Sequence, residues 1–173
     1  MRRINNYFPH LEDEARTLLA KIDYSSGPLS ERLTAELANK LGFTLHYVQD
    51  LPASTRVITD EKNGRIYLPM RREGRDARTI LLQALAGHVL KHPTPVDYRD
   101  YLTQRVQTNY LAGALLMPEA NAVEYLQNAK TKRELSVEDL RDYFGVSYEN
   151  AAHRFTNLAS VHLNLAVHFL KVH

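Results

Sequence analysis

The chain contains no cysteine. Without thiols it has no disulfide, no thiolate zinc centre, no iron–sulfur ligation and no cysteine nucleophile. That absence suits a reducing compartment, and a cytoplasmic location is the expectation. Long apolar runs are missing as well, since a membrane helix needs roughly 20 apolar residues. The closest stretch, Leu158 to Leu170, is interrupted by Ser160, His162, Asn164 and His168. Met1-Arg2-Arg3-Ile4-Asn5-Asn6 has no apolar segment behind its charges, so it does not read as a secretion signal. There is little net charge, only +2, so whole-molecule electrostatics do not mark a nucleic-acid binder. No repeat or low-complexity tract is present. What remains is 173 residues, 44% hydrophobic and 24% charged, enough for one domain with its own core.

Hydrophobic spacing then orders the chain. Leu11, Ala15, Leu18, Leu19 and Ile22 recur at helical intervals, and Gly27-Pro28 breaks that helix. A second helix takes Ser30 as N-cap, turns Leu33, Leu37, Ala38 and Leu41 inward, and stops at Gly42. Phe43, Leu45 and Tyr47 alternate with polar neighbours as a strand does. Val57-Ile58-Thr59 and Arg65-Ile66-Tyr67-Leu68 flank Asn63-Gly64, a hairpin signal, so a small antiparallel sheet is expected. From Asp76 the pattern is helical: about Asp76 to His92, Tyr98 to Leu116, Pro118 to about Ala129, a short helix begun by Ser136-Val137-Glu138-Asp139, and a last helix begun by Ser147. The fold class is α+β, a small antiparallel sheet with a β-hairpin against a mainly helical body.

Two stretches carry the chemical question. One is Gln83-Ala84-Leu85-Ala86-Gly87-His88-Val89-Leu90-Lys91-His92, the other Gln107-Thr108-Asn109-Tyr110-Leu111-Ala112-Gly113-Ala114-Leu115-Leu116-Met117-Pro118. Together they resemble the ImmA/IrrE family of zinc metallopeptidases, in which a helix carries His-Glu-x-x-His and the next carries a glutamate. Gly87-His88-Val89-Leu90 and Leu115-Leu116-Met117-Pro118 set the register. The resemblance implies a zincin-like domain and places the first ligand position at Ala84, the general base at Leu85, the second histidine at His88 and the third ligand at Gln107. Ala84 and Leu85 offer neither a zinc donor nor a proton acceptor, and Gln107 is a poor neutral ligand. The expectation is no enzyme, no resident metal and no prosthetic cofactor. His88 and His92 stand at i and i+4 and could share a metal on one helix face, but no carboxylate is spaced as a third ligand, and a packed or capping pair is the plainer reading.

The phrases Leu51-Pro52-Ala53-Ser54-Thr55-Arg56, Arg65-Ile66-Tyr67-Leu68-Pro69, Gln104-Arg105-Val106-Gln107 and Val146-Ser147-Tyr148-Glu149-Asn150 are similar to one branch of that family. This branch is the actinobacterial short-chain fatty-acyl transcriptional regulators, of the RamB and PrpR type. The resemblance implies control of acetate, glyoxylate or propionate metabolism genes, with a short-chain acyl-CoA as effector. Residues 1–173 then read as a single zincin-like domain, the central part of a larger regulator whose separate helix-turn-helix domain contacts DNA.

Two places could hold such a ligand. Arg71, Arg72, Arg75 and Arg78 cluster at the start of the third helix, where the helix dipole and unpaired N–H groups favour anions. They form either a phosphate dock or a solvated loop paired with Glu73 and Asp76, the second being the plainer. The former metal cleft is the other place, with Ala84 and Leu85 as apolar lining and His88, Gln107 and Tyr110 as polar groups, unless Leu85 only fills the hole. Tyr148 to Leu158 has the look of a recognition helix, but Arg154 is its one strong base and direct DNA contact is not expected there. Besides the sensing module, an ImmA/IrrE-type zinc endopeptidase acting on a repressor stays open, as does a structural or homodimerising domain. Leu158, Val161, Leu165 and Phe169 would supply the dimer surface.

Overall fold

The computed structural model describes residues 6–52, 54–70 and 76–167. Within them the order is α1 (Pro9–Leu19), α2 (Glu31–Lys40), β1 (Thr44–Val48), β2 (Ile58–Asp60), β3 (Arg65–Pro69), α3 (Ala77–Leu90), α4 (Tyr98–Leu116), α5 (Glu119–Lys132), α6 (Val137–Phe144) and α7 (Tyr148–His162). The α+β class therefore stands. Side chains define most helix starts: the Ser30, Asp76, Asp97, Ser136 and Ser147 side chains each accept a backbone N–H of the first turn. Each supplies an acceptor that the helix itself lacks at that end.

The sheet is mixed rather than wholly antiparallel. β2 and β3 form the expected hairpin, pairing Ile58 with Tyr67 and Asp60 with Arg65. β1, however, lies parallel to β3 on its other side, with Leu45 opposite Ile66 and Tyr47 opposite Leu68. Alternation of side chains identifies a strand but says nothing about the direction of its partner. β3 becomes the central strand, burying Ile66 and Leu68, whereas Tyr47 on the edge strand is exposed. The hairpin turn is also longer than a two-residue Asn-Gly loop. Asp60 accepts both the backbone N–H and the side-chain amide of Asn63, and Gly64 follows at a φ of +61°.

Three further departures concern helix ends. α3 stops at Leu90 because Lys91 turns left-handed, so His88 and His92 do not share a helix face. Pro118 occupies the N-cap of α5, which continues to Lys132. α7 ends at His162; Leu158 is buried and Val161 exposed, so the expected four-residue stripe is broken, and Phe169 lies outside the described residues. α4 is the hub of the helical half, packing against α3, α1 and α7, while α2 rests on α3 and on β1. Its C-terminal half from Tyr110 to Leu116 is buried almost without a break, which is why no single apolar face shows in its sequence.

Glycine geometry gives a direct test of the turn. A Cβ on Gly64 would stand 2.5 Å from the Gly42 carbonyl oxygen, at a positive φ. Gly113, inside α4, has open space where its Cβ would lie. Gly64→Ala is expected to lower stability by roughly 1–3 kcal/mol, whereas Gly113→Ala raises it by about 0.5–1 kcal/mol. Urea denaturation of the two variants beside the parent chain checks both signs.

Candidate functional site

The sequence register placed the site on α3 and α4, and the two helices do pack together. Gln83 Nε2 donates to Asn109 Oδ1 at 3.1 Å, tying one helix to the other. Leu85 is fully buried and Leu81, Leu82 and Ala86 are buried around it on α3, so the general-base position is part of the core. Ala84 and Gln107 are half-buried. His88 Nδ1 lies 3.0 Å from Glu61 Oε1 in the β2–β3 turn, and its ring meets Phe43 edge-on with centroids 4.7 Å apart. The one histidine at a ligand position is thus engaged by a carboxylate and an aromatic face. His92 Nε2 is buried with no hydrogen-bond partner among the described residues.

This donor set does not fit a zinc ion. A zincin holds its metal with two histidines and a third oxygen or nitrogen donor, and keeps a glutamate beside the metal-bound water. Here a methyl group and an isobutyl group stand at two of those positions. Among the described residues no group of three or more histidine, aspartate or glutamate side chains is arranged to hold a metal.

The arginine cluster is only partly visible: Arg71, Arg72 and Arg75 lie outside the described residues. Arg78 makes a bidentate contact with Asp76, its Nε 2.9 Å from Oδ1 and its NH2 2.7 Å from Oδ2. It also donates to the carbonyl oxygens of Leu29, at 2.8 Å, and of Gly145. Its guanidinium therefore joins α3 to the start of α2 and the end of α6, a structural task that uses its donors.

Tyr110 belongs to a different place from the one expected. Its hydroxyl donates to Glu12 Oε1 at 2.5 Å, on α1, within a buried polar cluster that sequence reasoning did not foresee. Arg154 of α7 makes a paired contact with both Glu12 oxygens, at 2.6 and 2.9 Å, and its Nε donates to the Met117 carbonyl at 2.8 Å. Both charged side chains are almost wholly buried, Arg154 at 1% exposure, so Arg154 contacts no DNA from here. Burial opposes its charge, but hydrogen bonding and attraction from Glu12 outweigh it and hold the guanidinium above its usual pKa. For Tyr110, burial followed by its hydrogen bond to Glu12 raises the phenol well above the ordinary value.

Glu119, at the start of α5, forms the outer end of this region. Its Oε1 accepts from the Tyr7 hydroxyl and lies 2.8 Å from His162 Nε2. Burial alone would raise its pKa, but the bonds from Tyr7 and His162, with the charges of His162 and Arg154, leave it below the usual carboxylate range. Beside it is a cavity of about 600 Å3 between α1 and α5, reaching the end of α4. A signal for this region existed in the sequence: Glu12 sits between Leu11 and Ala15 on the inward stripe of α1, and Arg154 between Ala151 and Leu158 on that of α7. A single acid and a single base, each on an apolar face, need a buried partner.

The fold and the site together fit a zincin-like domain with Ala84, Leu85 and His88 on α3 and Gln107 on α4 at the positions considered above. A family model, the IrrE N-terminal-like domain of peptidase M78, matches residues 39–156, from the end of α2 into α7. The chain belongs to this family. A solved structure described as a Mycobacterium tuberculosis transcriptional regulator superposes with a TM-score of 0.68 at 21% identity. The match covers 89% of this chain and 49% of that one, so the chain spans about half the length of that regulator and shares its fold. No curated protein matches.

Arg154→Met leaves Glu12 buried without its counter-charge and is expected to cost about 3–5 kcal/mol of folding stability. Glu12→Leu combined with Arg154→Met should cost less than the single change, because no isolated charge remains; chemical denaturation of both variants decides. Acid reports on Glu119. A carboxylate with a lowered folded pKa stabilises the fold fully above its unfolded value of about 4.3, and loses that contribution as pH falls through the folded value. Thermal melts from pH 7 to pH 3 are expected to show a shallower acid decline in Glu119→Gln than in the parent chain.

Proposed function

We propose that the chain is a non-catalytic sensing module of a transcriptional regulator, with a short-chain acyl-CoA as its effector. The observation that carries the first half is Leu85, fully buried at the position where a zincin keeps its general base. Peptide hydrolysis by this family's chemistry needs a metal-bound water and a carboxylate to take its proton. Methyl and isobutyl groups do neither, and His88 is already occupied by Glu61. The regulatory half is supported by the sequence phrases quoted above and by the fold shared with a solved transcriptional regulator.

In this reading the module carries no DNA-contacting surface of its own. The arginine on α7 that would have served is buried, so operator contact falls to a separate domain of the parent protein. Among the described residues no helix is long and apolar enough to cross a membrane, which accords with a cytoplasmic regulator. The anionic part of the effector is assigned to Arg71, Arg72 and Arg75 rather than to Arg78, whose donors are taken by Asp76, Leu29 and Gly145.

Calorimetric titration with acetyl-, propionyl- and butyryl-CoA, with free CoA as control, tests the effector. Saturable heat that depends on the acyl group is the expected outcome, and silence with every thioester overturns the effector assignment. Metal analysis tests the other half: the purified chain is expected to carry no stoichiometric zinc. Tight zinc with chelator-sensitive cleavage of a repressor would overturn the non-catalytic reading.

A further inference from the structure

The cavity between α1 and α5 is lined by none of Ala84, Leu85, His88, Gln107 or Arg78. Its volume, about 600 Å3, is within the roughly 300–1,000 Å3 of small-molecule pockets. Ala15 and Leu19 of α1, Ile22 just after it and Val123 of α5 give it apolar lining, and Glu119 and Asn121 line it as well. The two oxygens of Glu119 are used unequally. Oε1 takes both the Tyr7 hydroxyl and His162. Oε2 has only Arg16 at 3.6 Å, an ion pair too long for a hydrogen bond, and Arg16 is exposed and bound more closely to Asp13 at 2.7 Å. Among the described residues, then, an ionised carboxylate oxygen at a cavity rim lacks a hydrogen-bond donor.

Charge sets the sign of the ligand. Among the lining residues Glu12, Glu119 and Glu124 are acids, and Arg16 and His162 are the basic groups. Glu12 is paired with Arg154 and Glu119 Oε1 with His162, which leaves Glu119 Oε2 and Glu124 as the acidic groups for a ligand. An anion, including the phosphates of a CoA ester, would meet the Glu119 and Glu124 carboxylates, and the exposed Arg16 is already paired with Asp13. The geometry points to a binding site for a small organic cation, a primary ammonium on an aliphatic body, with the ammonium on Glu119 Oε2 and the body against the α1–α5 wall. An ammonium has three donors and supplies what Oε2 lacks, while the apolar tail leaves water. This assignment is independent of the acyl-CoA reading and concerns a second site.

The test uses the full chain and three probes of equal length: hexylammonium, hexanoate and hexan-1-ol, followed by amide chemical shifts. Hexylammonium should saturate, with shifts centred on Ala15, Asn121 and Val123, and bind at least tenfold more tightly than the other two. Glu119→Gln should weaken it at least tenfold, while Glu36→Gln, an acid on α2 away from the cavity, should not. Should Glu119→Gln fail to fold, Val123→Trp decides, since it fills the cavity one helical turn along α5 from Glu119 and leaves the carboxylate in place; loss of binding is expected there too. Equal binding of hexanoate, undiminished hexylammonium binding in either folded variant, or no saturable binding of hexylammonium would each overturn the assignment.

Discussion

The pairing of Glu12 with Arg154 joins the first helix to the last across 142 positions of sequence, in the dry centre of the helical half. Two charges in such a place do not add much net stability, since desolvation opposes their attraction. Their effect is on which arrangement is allowed. Glu12 must meet a guanidinium and a phenol, and Arg154 must also reach the Met117 carbonyl, so α1, α4 and α7 have one mutual setting that satisfies all of these groups. A sliding of α1 by one residue would leave a buried carboxylate unpaired. The cavity, the Glu119 cluster and the approach of α5 are consequences of that setting.

Around this centre the chain preserves a metallopeptidase scaffold while altering what the scaffold holds. α3 and α4 still cross beside a small sheet, and the turn of the β-hairpin still reaches the histidine of α3. Yet Leu85 has turned the general-base position into core packing. The buried polar cluster lies instead between α1, α4 and α7, where Tyr110 meets Glu12. One fold thus carries a packed α3–α4 face and a buried polar cluster between α1, α4 and α7.

How much of this was legible follows from the range of each interaction. Ser30, Ser136 and Ser147 act within one helical turn, and each was read correctly as the start of its helix. The β2–β3 hairpin was likewise visible from Asn63-Gly64, although the turn proved longer. The limits of α4 were read at both ends. By contrast, the parallel partner of β1 depends on where a strand 21 residues further on comes to rest, and the end of α3 depends on Lys91 accepting a left-handed conformation that lysine seldom takes. Tyr110 was read as a polar group of the former metal cleft, whereas its hydroxyl bonds to Glu12 on α1.

The amino-acid sequence by itself determined what cannot depend on folding. Ala84 and Leu85 possess no side-chain donor atoms, the chain has no thiol, and Gly87-His88-Val89-Leu90 gives the register in which they were compared with the family's motif. Tertiary structure alone decided what those positions became. Whether Leu85 lined an open pocket or filled the core, whether Arg154 faced solvent or a carboxylate, and where a cavity formed were all settled by packing between elements distant in sequence. The physical reason is that chemical identity belongs to a residue, whereas burial, pairing and the ionisation that follows belong to its surroundings.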